Sequence, residues 1–383
     1  MSHSDVPAAP LGPVDMNYVA PGAPAGHRRI ERPEPIIKAD AMAFVRYARK
    51  DPDEMERFLL DFGLIPSVVQ NGVRYYRGLG DAAWLVAVEE SDIDAFLGFG
   101  VTARSADDLD RLAKATGAVV SALETPGGGR GLRLVDPDDL AVDVVHGVAT
   151  IAPLGASEAE TPVNTPFHRA RINRTVRPEL RPSPIFRLGH VLLQRPDFDR
   201  SIAWYMRHLG IIPTDVQLLD DGNPALAFCR LDRGTEPADH HSVGILGGPG
   251  ARLLHVSFET LDIDAVGQGH QYLKARGWSH FWGMGRHNFG SQVFDYWKDS
   301  AGDEWEHYAD GDVMDASHPT GYYGLARGTL WQWGDDLPLS MRPDLPLDAL
   351  PAIHAQGAFG DMPLERVRAF FEALQKPARP WMP

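Results

Sequence analysis

The chain has 383 residues, enough for two domains of ordinary size, and its 44% hydrophobic and 23% charged content is that of a globular protein. A formal net charge of −15 argues against partners that are nucleic acids or anionic membranes. One cysteine, Cys229, excludes a disulfide framework or a multi-thiolate metal site, and with no long apolar run or secretion signal the expected compartment is the cytoplasm.

Residues 1–36 carry Pro7, Pro10, Pro13, Pro21 and Pro24 and read as an irregular arm. A first domain is expected over 37–150. It opens with a strand-like run, Phe44 to Asp51, followed by a helical stretch from Met55 that closes on Gly63-Leu-Ile-Pro66. The run beginning Phe99-Gly-Val-Thr precedes a second helix, and Asp136-Pro-Asp-Asp-Leu-Ala-Val-Asp143 is a turn feeding a strand. Residues 151–184 form a linker with Arg169, Arg171, Arg174, Arg177 and Arg181, a basic stretch that reads as a solvated linker in preference to an interface clamp.

The pattern then returns over 185–312. His190 to Asp197 matches the first strand, and the helix from Ile202 closes on Gly210-Ile-Ile-Pro213. His255-Val-Ser-Phe precedes a further helix, while Asp299-Ser-Ala-Gly-Asp-Glu-Trp-Glu306 mirrors the earlier turn and strand. An internal repeat fixes the domain count and the comparison of one half with the other. The expected fold class is α+β: tandem paired βαβββ modules forming two open, barrel-like domains. Residues 313–383 exceed that plan and are expected to cap a site or mediate assembly.

Three residues of the second copy, His190, His255 and Glu306, each sit in a short apolar strand-like run. A polar group buried without a partner is costly, so three of them ask for a common purpose. Two imidazoles and a carboxylate can bind one face of Fe(II) and leave adjacent positions open for a substrate and O2.

With Leu188-Gly-His190, His255 before a helix and Glu306 after Asp299-Ser-Ala-Gly302, the second half resembles the type I extradiol dioxygenases of the vicinal oxygen chelate (glyoxalase/bleomycin resistance/dioxygenase) superfamily. Ser300 replaces the usual proline of the turn, and Glu304, on the same strand face, is the rival carboxylate, though spacing from Gly302 favours Glu306. The resemblance implies metal ligation by His190, His255 and Glu306, with Fe(II) expected, Mn(II) compatible and O2 as cosubstrate. It further implies His241 as acid–base histidine, fourteen positions before His255, with His240 facing the other way as a structural neighbour. His287 and Tyr296 match a pair that hydrogen-bonds the metal-bound substrate oxygen.

The activity implied is ring cleavage of a catechol-type aromatic substrate beside its diol, by a homo-oligomer engaged in aromatic catabolism. In the first half Phe44 stands for His190 and Gly100 for His255, leaving only Asp143 as a donor, so that domain is expected to hold no metal. This asymmetry argues against a glyoxalase-type site shared between modules. The alternatives are another metal enzyme of the superfamily, such as an isomerase or a hydroquinone-cleaving oxygenase, and a non-catalytic binding protein. Trp278, Phe281, Trp282, Trp297, Tyr322, Tyr323, Trp331 and Trp333 are candidates for a lid over a hydrophobic substrate, or for core and interface.

Overall fold

The repeat of sequence is a repeat of topology. The computed structural model describes residues 22–154, 163–177, 180–341 and 345–376, so the start of the proline-rich arm and parts of the linker lie outside the described residues. The first copy comprises β1 (Ala39–Arg49), α1 (Pro52–Phe62), β2 (Ile65–Gln70), β3 (Val73–Arg77), β4 (Val86–Glu90), β5 (Ala95–Ala103), α2 (Ala106–Thr116), β6 (Ser121–Ala122), β7 (Arg130–Val135) and β8 (Ala141–His146). The second comprises β9 (Ile185–Arg195), α3 (Phe198–Leu209), β10 (Ile212–Leu218), β11 (Pro224–Arg230), β12 (Ala238–Asp239), β13 (Val243–Gly247), β14 (Arg252–Thr260), α4 (Ile263–Ala275), β15 (Ser279–Arg286), β16 (Val293–Lys298) and β17 (Glu304–Ala309). After it come β18 (Val313–Met314), β19 (Gly321–Gly324), β20 (Trp333–Gly334), α5 (Leu350–Ala355) and α6 (Leu364–Gln375).

Two large open sheets result, ordered β2-β3-β4-β1-β5-β8-β7-β6 and β19-β10-β11-β13-β9-β14-β17-β16-β15-β20. In each, the leading strand lies between a parallel partner (β4 or β13) and an antiparallel one (β5 or β14). The expected α+β class is borne out. The segment after 312 is woven into the second sheet, since β19 pairs with β10 and β20 with β15. No helix among the described residues is long and apolar enough to cross a membrane.

The shared Gly-x-Ile-Pro signature has a local cause. Helices α1 and α3 begin on Asp51 and Asp197, whose carboxylates accept from the backbone N–H of Glu54 and Arg200. They end on Gly63 and Gly210, at φ 112° and 71°, where a side chain would be strained. The Ile-Pro that follows turns the chain into β2 or β10.

The ladders correct one sequence alignment. Reading across the second sheet, His190 on β9 faces Ser257 on β14, Ser257 faces Glu306 on β17, and Glu306 faces Tyr296 on β16. The matching row of the first sheet is Phe44, Gly100, Asp143 and Arg133. Gly100 is therefore the counterpart of Ser257, and Gly98, not Gly100, stands where His255 does. A slip of two residues keeps every side chain on its own face, so the apolar pattern could not reveal it. The conclusion about donors is unchanged, because Gly98 has none. The ring of Phe44 fills the space where a Cβ on Gly100 would lie, and Asp143 is held by Arg133 at 2.7 Å and Arg46 at 3.2 Å.

The modules grip one another reciprocally. Arg195, at the end of β9, reaches the first module's turn to bond Asp136 at 2.8 Å, and Tyr205 of α3 joins the same carboxylate oxygen at 2.8 Å. Arg49, at the end of β1, reaches the second module's turn to bond Asp299 at 2.7 Å and also contacts Asp303. Both aspartates use their other oxygen to accept backbone N–H groups within their own turns. Around the pairs, Tyr47, Phe58 and Phe62 pack on Trp305, and Phe99 lies against Tyr205, in one continuous core. Replacing Asp136 with Asn, or Arg195 with Met, leaves a buried ion without its partner and is expected to cost about 3–5 kcal/mol. Denaturant unfolding measures this, and the double replacement should cost less than the two single changes added together.

Candidate metal centre

Three strands that neighbour one another, β9, β14 and β17, bring His190, His255 and Glu306 to one point. The Nε2 atoms of His190 and His255 lie 3.3 Å apart, and Oε2 of Glu306 lies 3.0 Å from the first and 3.6 Å from the second. All three side chains are buried. Gly189 is required before His190 because the Tyr308 hydroxyl would lie 2.3 Å from any Cβ there. Ser257, between His190 and Glu306 in the row, is small enough to leave room in front of it.

The electrostatics suit a cation. Burial drives the His255 imidazole down to about 3, so it is neutral and offers a lone pair at physiological pH. Burial also works against the Glu306 charge, but the close His190 and His287 imidazoles outweigh it and hold the carboxyl well below its usual range. Oε2 of Glu306 nonetheless makes no hydrogen bond of good geometry although it is fully enclosed. A fully buried anionic oxygen facing two imidazole nitrogens is a donor set that a divalent ion satisfies, and the residues fit such an ion.

Glu304, the rival carboxylate, does not join the cluster. Its closest cation is Lys298 at 3.8 Å, and burial lifts its carboxyl to about 7.

The residues expected around the metal converge as well. His287 Nδ1 donates to the carbonyl of Leu330 at 2.7 Å, which leaves Nε2 as the acceptor for the Tyr296 hydroxyl at 3.0 Å. The same Nε2 is 3.4 Å from Glu306 Oε1. His241 lies on the other side, its ring 4.1 Å from that of His190, and burial followed by the neighbouring His190 and His240 imidazoles keeps it well below the ordinary histidine range.

His240 requires a correction. The chain bends after β12 instead of continuing as a strand, so His240 does not face away. Its Nε2 meets Asp215 Oδ2 at 2.7 Å and its Nδ1 meets His241 Nδ1 at 3.0 Å. Proton positions follow from this chain of contacts. Asp215 can only accept, so His240 donates through Nε2 and accepts through Nδ1. His241 must then carry its proton on Nδ1, and its Nε2 is a free base. Asp215, on β10, was not visible in the sequence, because it lies 25 residues from its partner on a separate strand.

The aromatic lid candidates divide. Trp278 packs on Phe58 and bonds Asp61 between the modules, and Trp297 is core. Trp282 and Trp331 form an apolar wall with Phe294 and Tyr296 beside the centre.

Two measurements test these assignments. Glu306→Ala is expected to weaken metal binding by roughly tenfold or more, while Glu304→Ala leaves it unchanged, as metal content after dialysis would report. Asp215→Asn, which frees the His240 and His241 tautomers, is expected to slow turnover by roughly 10–100-fold with metal retained.

The model of the Glyoxalase/Bleomycin resistance protein/Dioxygenase superfamily matches residues 187–306, the stretch that holds these ligands. Metapyrocatechase 2 of Cupriavidus necator is 29% identical over 297 residues, covering 76% of this chain and 88% of that protein. Among solved structures, the Mn(II)-bound glyoxalase of Novosphingobium aromaticivorans is 25% identical at a TM-score of 0.66, over 79% of this chain and 94% of that one. Homoprotocatechuate 2,3-dioxygenase of Brevibacterium fuscum, 20% identical, shares the fold at a TM-score of 0.66 over 82% of this chain and 94% of that one. Matched sequence, shared fold and converging ligand candidates agree: residues 187–306 match the glyoxalase/bleomycin resistance protein/dioxygenase superfamily, and the chain is similar in sequence to a metapyrocatechase and in fold to a ring-cleaving dioxygenase.

Proposed function

We propose that this protein is an extradiol dioxygenase that opens a catechol-type ring beside its diol and incorporates both atoms of O2, with Fe(II) held by His190, His255 and Glu306. The observation that carries the reading is the arrangement about one point: three ligands on neighbouring strands, a free base on one side and a paired imidazole and phenol on the other. The relative metapyrocatechase supports it. Mn(II) suits the same donors.

When bound, the ion supplies the route for electrons between the aromatic ring and O2, for which no side chain here is competent. The protein supplies position and protons. Two imidazoles and one carboxylate occupy one face of the site and leave the opposite face for a diol. His241 Nε2 is placed to take a proton from a substrate hydroxyl and later return it, as a neutral buried imidazole can. Tyr296, its hydroxyl oriented by His287 Nε2, stands beside the position of the second substrate oxygen. Burial and the Glu306 charge hold the Tyr296 phenol well above its ordinary range, so it keeps its proton and acts as a donor.

Trp282, Phe294 and Trp331 line the wall behind that pair, and Phe228 lies 5.0 Å from the His241 ring. These surfaces exclude water and give an aromatic substrate planar neighbours.

Anaerobic reconstitution with Fe(II), followed by substituted catechols and air, tests the proposal. The expected result is stoichiometric O2 uptake and a yellow ring-opened product. Metal-dependent isomerisation of another substrate without O2 uptake would replace it with the isomerase alternative. His241→Asn is expected to keep iron and catechol affinity and to slow ring opening by roughly 10²–10⁴-fold, the range for losing a positioned acid or base. Unchanged turnover at saturating O2 would remove His241 from the mechanism.

A further inference from the structure

We propose that His270, His280 and Asp295 form a second metal site, suited to a divalent transition ion of the zinc class, on the side of the second sheet turned away from the catalytic ligands. Three elements contribute: His270 from α4, His280 from β15 and Asp295 from β16. Asp295 precedes Tyr296 in its strand, so alternation sends one carboxylate to the back of the sheet and the phenol to the front.

The geometry repeats that of the catalytic centre. His270 Nδ1 lies 3.1 Å and His280 Nε2 2.9 Å from the same oxygen, Oδ1 of Asp295. The two imidazole rings are 4.9 Å apart with planes 86° to one another, so their nitrogens approach that oxygen from different directions. All three ligand atoms fall within 4.8 Å of one another, as they do at His190, His255 and Glu306.

The carboxylate is prepared for a cation. Asp295 is fully buried, which opposes its charge, yet hydrogen bonds from the two histidines keep it below the usual carboxylate range. Its second oxygen, Oδ2, accepts the indole N–H of Trp297, and such outer partners are what orient a ligating carboxylate. The histidine side chains keep 22% and 30% of their exposure, which gives an ion a path from solvent and leaves a position for water. Two imidazoles, one carboxylate and one water complete a tetrahedral zinc shell.

Such an ion would tie α4 to β15 and β16, the strands behind Tyr296 and before His287. It binds the folded protein alone, since the three ligands come from separate elements, and it would therefore raise the melting temperature progressively, with the logarithm of its concentration once above the dissociation constant.

The test uses the iron-loaded protein. Equilibrium dialysis against zinc is expected to give one further equivalent and a higher melting temperature, and cobalt at the same site should develop a visible absorption band. His270→Ala and His280→Ala, both partly exposed, should each weaken the extra equivalent by roughly tenfold or more while iron content and ring cleavage stay unchanged. Glu306→Ala should retain the extra zinc while losing the catalytic metal, which separates this proposal from the functional one. Absence of a saturable second equivalent, or one undiminished in both histidine variants, overturns it; in that case the histidines serve only as hydrogen-bond donors to a buried aspartate.

Discussion

Reciprocal burial of two arginines in the opposite module's turn is the constraint that the rest of this structure depends on. Arg195 bonds Asp136 and Arg49 bonds Asp299, and the aspartates in turn hold the turns that deliver β8 and β17. Each turn thus has its shape set from within and its position set from the other module. Glu306 stands seven residues beyond Asp299, on a strand whose start is fixed by that contact. The alignment of Glu306 with His190 and His255 rests on a charge pair that never touches the candidate metal centre.

Duplication supplies two equivalent positions, and side-chain volume and charge decide that the second gathers a donor set able to hold a metal. In the first module the row Phe44, Gly100, Asp143 and Arg133 is self-sufficient: a phenyl ring fills the centre and two arginines neutralise the carboxylate. In the second, the row His190, Ser257, Glu306 and Tyr296 leaves a buried carboxylate oxygen facing imidazole nitrogens. The same backbone carries either outcome. What differs is whether the negative charge is met by guanidinium groups of the chain or left open to an ion.

The site also extends beyond the repeat. The carbonyl of Leu330 fixes the tautomer of His287, and the segment around it adds Trp331 to the wall next to Tyr296. On the opposite side, Asp215 and His240 do the equivalent for His241. Two histidines are thereby set to opposite tasks by their hydrogen-bond partners, one accepting from a phenol and the other presenting a free base. The neighbouring His307 shows the contrast. Fully buried on the other strand face, it bonds the Phe62 carbonyl at 2.7 Å and stacks on that ring, a structural histidine with no part in the centre.

Read alone, the amino-acid sequence determined the duplication, the α+β class and the candidate ligands His190, His255 and Glu306, because each is written in a local pattern of strand alternation, helix caps and turns. The caps Asp51 and Asp197, with Gly63 and Gly210, are legible for the same reason: they act within a few residues of themselves. Contacts between distant segments leave no such trace. The Arg195–Asp136 pair spans 59 residues and Arg49–Asp299 spans 250, and neither has a spacing that could announce it. The true counterpart of His255, Gly98, emerged only from the hydrogen-bonded register, since a shift by two preserves every face. The relay from Asp215 and the cluster of His270, His280 and Asp295 were decided by tertiary structure too. Strand pairing and helix packing choose which side chains meet, and a residue's own neighbours in the chain carry no information about that choice.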